Sequence, residues 1–416
     1  MHDQSLRRLP NELRLFIAIV SSITCLVWLA VAITRLLHVT APYVWPLAPP
    51  GSSFYDFQIY LGRFRNLHHP EFFSAPGYPF TYFAPGVLLY GTFYAFGHVG
   101  GLLVYMGTTL TALVVAFVVM RRSMLKYRLS PLGVTVFLLI AITTSYPISF
   151  AIERGNLEVI LAIGMALGTW AYWRGETWTA AIIWGLFGSV KLYPLLLLAV
   201  FLSFRQYRQF VAALATTAAA TILSLLYIGP TFSAAATGIR NGTHAFLRLY
   251  TLRFQDGGLD HSMFMLLKYA TVPLRPNLKY MLAGYLVVLA TVMLALYFSR
   301  IRTLPLANQL LILTICSVTL PPTSFDYTLV QMYAPWAVLV VIAIRAGANG
   351  QKIPGLLGSF ALLSLVFTPS NIVVIHGYAY SGQLKCLILV FLFTIAMLKR
   401  FEVRSTIADG HTPSTA

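Results

Sequence analysis

The sequence predicts an all-α, polytopic integral membrane bundle, and three observations carry that prediction. Hydrophobic residues make up 58% of the chain and charged residues only 10%, with a mean hydropathy of +0.75. A soluble domain of 416 residues would need far more charge to cover its surface. Apolar stretches approaching the roughly 20 residues that a spanning helix needs recur along the whole chain. The basic excess, a net charge of +17, is distributed between those stretches. There it sets topology and meets anionic headgroups, so nucleic acid is not an expected partner.

The predicted crossings are 14–37, 101–120, 131–150, 157–173, 178–190, 194–204, 210–228, 280–298, 306–320, 328–345, 354–368 and 384–399. They give about 12 spans in one domain, 1–404, with a polar tail, 405–416, expected to be disordered in the cytoplasm. The run Leu15–Leu37 is too long for a signal peptide and counts as the first span. Two further apolar pieces, 84–97 and 262–274, are short or amphipathic and are assigned as re-entrant or interfacial helices of the outer loops. The positive-inside rule supports this count. It places Arg7, Arg8, the run RRSMLKYR (121–128), SRIR (299–302), Arg345 and Lys399–Arg400 on the cytoplasmic side. Counting 84–97 as a crossing would send RRSMLKYR outside.

The segments 178–190 and 194–204 are too short for a full bilayer. They flank KLYP (191–194), where Pro194 has no amide hydrogen to donate to a continuous helix. Broken backbone at membrane depth survives only beside protein or a wet cavity, so Lys191 is expected at the tip of a cavity-lining hairpin. The inner loops are short. The outer loops 38–83, 229–279 and 369–383 are long, and most of the 12 acidic residues lie on that side. The work of the protein is expected there, at the non-cytoplasmic face of the cell membrane. Cys25, Cys316 and Cys386 all lie in apolar segments and suggest neither a disulfide frame nor a metal cluster.

Four outer pieces hold the residues capable of chemistry. In GSSFYDFQIYLGRFRNL (51–67), Asp56, Tyr60 and Arg63 share one face if 54–66 is helical. A carboxylate beside apolar surface near lipid is costly unless it is paired or functional. Asp56 is thus either a general base or the partner of Arg63 or of a helix end. ERGNLE (153–158) offers Glu153, Asn156 and Glu158 around Gly155, which permits a tight turn; Asn156 either caps the next helix or contacts substrate. The segment 240–279 holds Arg240, His244, Arg248, Arg253, Asp260, His261 and Lys268, either as a solvated loop or as ligands for phosphate. In LPPTSFDYTLVQMYAPW (320–336), Asp326 lies beside Ser324 and Tyr327 and is a possible acid/base companion of Asp56. No zinc-type spacing, phosphate-binding glycine loop or dinucleotide fingerprint occurs, so no cofactor and no metal is expected.

The order of these pieces resembles the GT-C superfamily of membrane glycosyltransferases, and within it glycosyltransferase family 87. The motifs that carry the resemblance are FYDFQIY followed by FTYFAPG, the glycine-spaced run 155–198 ending in KLYP, DHSMFMLLKY (260–269) and LPPTSFDYTLVQMYAPW. The resemblance implies a polyprenyl-phosphate-sugar donor, as in mannosyltransferases of this kind, and a lipid or glycan acceptor at the outer face. It implies an aspartate of the first outer loop as catalytic base, which falls on Asp56. Lys191, Arg253 and His261 are the candidates for the donor phosphate, and Tyr60, Arg63, Glu153, Asn156, Asp260 and Asp326 for other substrate contacts. The chain departs from the family pattern at Asp260–His261, where Asn-Gln is common, and at Phe325–Asp326–Tyr327–Thr328, where Trp-Asp-His-His is common. Those missing histidines leave the phosphate ligand open. The alternative class is a lipid or small-molecule transporter, which should show paired interrupted helices in two halves.

Overall fold

The computed structural model describes residues 7–37, 54–64, 68–69, 82–253, 257–369, 374–375 and 378–403. The tail from Ser405, most of the first outer loop, Asp256 and part of the loop 369–383 lie outside the described residues, as does the side chain of Arg63. What is described is helical apart from its connections and one two-residue hairpin, Val374–Ile375 with Tyr378–Ala379.

Six helices are long and apolar enough to cross a membrane: Asn11–Thr34, Gly97–Leu125, Tyr207–Ile228, Leu278–Thr303, Asp326–Ala348 and Ser381–Leu398. The pair Pro131–Thr143 and Tyr146–Arg154 makes a seventh if counted as one broken span, bent by 47°. The remaining five predicted crossings are also helices, but short ones: Glu158–Trp173, Thr177–Val190, Tyr193–Ser203, Leu306–Thr319 and Leu356–Phe367. Each falls below the length that spans a bilayer unaided. Ala84–Tyr94 and Met263–Thr271 are short helices, matching the two pieces not counted as crossings.

Local chemistry explains where these helices start and break. Ser130 caps Pro131–Thr143 by accepting from the Gly133 amide, with Pro131 already set for the first turn. The bend that follows has the same two devices: Ser145 accepts from the Ile148 amide and Pro147 opens the new helix. Thr177–Val190 stops at Lys191, whose backbone is extended, and the chain resumes as a 3₁₀ turn from Tyr193. The break expected at KLYP is therefore present.

Burial sorts the helices into a centre and a lipid-facing perimeter. Leu278–Thr303 buries none of its apolar window, whereas Asp326–Ala348 buries 78%. Leu306–Thr319 is buried from Ala307 to its end and forms the centre. In the same core Phe16, Phe137, Trp336, Phe360 and Phe367 interlock, with Phe137 and Trp336 stacked at 5.7 Å. Such ring contacts tie four helices through dispersion and quadrupole geometry, in an environment where the hydrophobic effect between helices is weak. Gly168 lets Trp184 of the next helix approach its backbone; a side chain there would collide with the indole.

The polar connections gather at two opposite ends. At one end Arg7 bonds the carbonyl of Ala348, Arg345 the hydroxyl of Tyr127, and Asn308 the carbonyls of Ala396 and Lys399. All belong to the segments that the charge bias assigns to the inside. The segments assigned to the outside meet at the other end.

Candidate active site

The site is built on the turn after Tyr146–Arg154. Gly155 adopts φ 69°, a left-handed conformation that glycine takes without strain. Its hydrogen atoms face Phe57, and a Cβ would run into the Cβ of that residue. The turn therefore docks directly on the helix Tyr55–Arg63, which carries Asp56. The amide of Phe54 donates to the carbonyl of Glu153 and closes the junction.

Asp56 is buried, with 3% exposure. Its Oδ1 accepts from Arg154 Nη2 at 2.6 Å, and its Oδ2 from Arg154 Nε at 3.4 Å and Asn156 Nδ2 at 3.2 Å. Asn156 is itself fixed from every side. Its Oδ1 accepts from the Tyr82 hydroxyl and, at 3.3 Å, from the amide of Glu158, while its carbonyl accepts from Tyr105 at 2.9 Å. It thus holds the first amide of the following helix, in keeping with the capping role, and orients Asp56 as well. Tyr60, one turn beyond Asp56, packs its ring on Tyr82 and Tyr90 at 5.7 and 4.7 Å.

Glu158 and Lys191 form a second buried ion pair next to the first. Glu158 also accepts from the Tyr193 hydroxyl at 2.7 Å and from Gln331 Nε2 at 3.2 Å. The Lys191 ammonium lies 4.5, 5.3 and 5.8 Å from the rings of Tyr82, Tyr327 and Tyr193. Tyr327 is within electrostatic reach of Asp56, Glu158 and Arg154 as well.

Asp326 does not join Asp56. It lies in a separate buried group, accepting from Lys385 at 3.0 Å and pairing with His261 at 3.2 Å. The other nitrogen of His261 meets the hydroxyls of Ser324 and Thr328 at 3.3 Å. Asp260 holds the same loop in place: its Oδ1 accepts from the amides of Ser262 and Ser324. Burial pushes the Asp260 carboxyl above the usual carboxylate range, opposed by those two amides. The two groups are linked through rings. Lys385 sits 4.0 Å over Tyr146, Tyr146 stacks on Phe150 at 5.5 Å, and Phe150 faces Tyr327 at 6.1 Å.

Among the residues singled out from sequence, Asp56, Asn156, Tyr60, Glu153 and Lys191 therefore come together. His261, Asp260 and Asp326 form the neighbouring group. Arg253 is exposed, and its carbonyl accepts from Lys268 at 2.8 Å. The sequence reading missed Arg154, Tyr82, Gln331 and Lys385. Lys385 carried a signal, since a lone cation inside an apolar span is costly and seldom idle. Arg154 stood within ERGNLE, but its partner Asp56 is 98 residues away.

No curated protein and no solved structure matches the chain. A family model described as Glycosyltransferase family 87 matches residues 80–322, more than half of the chain and a span that includes Arg154, Asn156, Lys191 and His261. The chain belongs to glycosyltransferase family 87.

Proposed function

We propose that this glycosyltransferase moves a hexose, such as mannose, from a polyprenyl-phosphate donor to a lipid or glycan acceptor at the outer face of the cell membrane, with Asp56 as general base. The observation that carries the reading is the position of Asp56. It is a buried carboxylate, held on defined partners, at the junction of segments that the charge bias puts on one side of the membrane. A twelve-crossing, GT-C-like arrangement accommodates this if the bilayer thins locally around the five short helices.

The chemistry follows from the groups present. The acceptor hydroxyl gives its proton to Asp56 as its oxygen bonds the anomeric carbon. The bond from that carbon to the phosphate oxygen breaks, and the electron pair leaves with the phosphate. Stabilising that departure is electrostatic work for fixed cations. Lys191, near Tyr82 and Tyr327, is the cation already placed by a helix break. Tyrosine and asparagine donors around Asp56 suit the hydroxyls of a sugar. His261 and Arg253 remain candidates for the phosphate.

Lys191 provides the test. Lys191→Met is expected to raise the KM for the donor more than that for the acceptor. It also leaves Glu158 without its cation, so Lys191→Met/Glu158→Gln should recover thermal stability while the donor defect persists. Steady-state kinetics with each substrate varied separately, beside a melting curve, reads both effects. Equal loss for the two substrates, cured together with stability by the second substitution, would assign Lys191 to folding alone.

A further inference from the structure

Two ion pairs meet at the junction, Asp56 with Arg154 and Glu158 with Lys191. Each pair is neutral by itself. An anionic donor entering the junction adds a negative charge without a partner, unless one cation changes partner. The two cations differ in their freedom to do so. The Lys191 side chain is 9% exposed, and its carboxylate is fully buried and braced by Tyr193 and Gln331. The Arg154 side chain keeps 29% exposure, and its guanidinium lies 5.3 Å from the ring of Tyr55, which is itself exposed. A guanidinium carries five donors in a planar fork that fits phosphate as well as carboxylate.

Asp56 shows the complementary feature. Arg154 and Asn156 together occupy three of the roughly four lone-pair positions of its carboxylate, including the strongest contact at Oδ1. The position left lies on Oδ1 beside the Arg154 contact, and an acceptor hydroxyl that reaches it must share that oxygen with the guanidinium. Asn156, locked by Tyr82 and Tyr105, stays on Oδ2 and keeps the carboxylate oriented if the arginine leaves. On the basis of the donor class argued above, we propose that Arg154 is parked on Asp56 until the donor arrives, then transfers to the donor phosphate and so opens Oδ1 to the acceptor. Arg154 is then a phosphate ligand and the coupling between donor binding and the base. Binding is ordered, with the donor first.

The test is the affinity of the purified full-length protein for farnesyl phosphate, with farnesol as the uncharged control. If Arg154 is shared between Asp56 and phosphate, removing the carboxylate charge frees it. Asp56→Asn, an isosteric change, should therefore bind farnesyl phosphate about 10-fold more tightly than the wild type, the weight of one charge-assisted hydrogen bond. Arg154→Ala should bind it about 10–100-fold more weakly, Arg154→Lys should fall between, and Asp56→Asn/Arg154→Ala should show no gain over Arg154→Ala. Unchanged or weaker binding by Asp56→Asn, in a wild-type background that prefers farnesyl phosphate over farnesol, would overturn the exchange and leave the donor class standing. Equal binding of farnesol and farnesyl phosphate by the wild type would overturn the donor class, and the exchange with it. The decisive comparison needs only Asp56→Asn, so it stands even if Arg154→Ala does not fold.

Discussion

Asp56→Asn is expected to lower sugar transfer by about 10²–10⁴-fold, the usual contribution of a positioned general base, with the fold intact. The amide has the shape of the carboxylate and can still face Asn156 and Arg154. It cannot take the proton of the acceptor hydroxyl. Arg154 loses an ion pair but remains partly in contact with solvent, so no buried charge is stranded. Initial rates at saturating donor and acceptor, with a melting curve for each variant, separate the two effects. Turnover near that of the wild type would remove Asp56 from the mechanism.

The second large effect concerns stability. Lys385 and Asp326 are both almost fully buried and pair at 3.0 Å. Lys385→Met leaves the Asp326 charge with His261 as its remaining ionisable partner. Breaking a buried pair from one side typically costs about 3–5 kcal/mol, because the other charge stays behind without compensation. Lys385→Met is therefore expected to lower the thermal midpoint sharply, and Lys385→Met/Asp326→Asn to regain most of it. Denaturation of the detergent-solubilised protein measures both. A single variant as stable as the wild type would show that this group does not hold the 257–262 loop to the last helix.

The elements of the fold were legible where the signals are local. The break at KLYP follows from Pro194 and Lys191, and the Gly155 turn from the need for a left-handed residue between two helices. The bend at Thr144–Ser145 was hidden, because the apolar run 131–150 continues across it and only Ser145 and Pro147 mark the new start. This second broken helix borders the same site as the first. The count of crossings depended on treating short apolar runs such as 178–190 and 194–204 as spans, and five of the twelve form helices shorter than a bilayer needs. The site was legible as a set of residue types but less so as pairs. Sequence spacing suggested Arg63 for Asp56, since residues seven apart share a helix face. The side chain of Arg63 lies outside the described residues, and among those described Asp56 pairs with Arg154, brought in by the Gly155–Phe57 contact. Likewise Lys191 was expected as a cation awaiting phosphate, and it is already paired with Glu158 from an adjacent helix.

The most direct measurement is transfer of label from a radiolabelled polyprenyl-phosphate sugar to lipid or glycan acceptors by the purified protein in proteoliposomes, run beside the corresponding nucleotide sugar. In-line displacement between Asp56 and the departing phosphate predicts transfer from the lipid-linked donor, none from the nucleotide sugar, and a product whose anomeric configuration is inverted. Transfer from the nucleotide sugar alone, or a product that retains the configuration of the donor, would contradict the account.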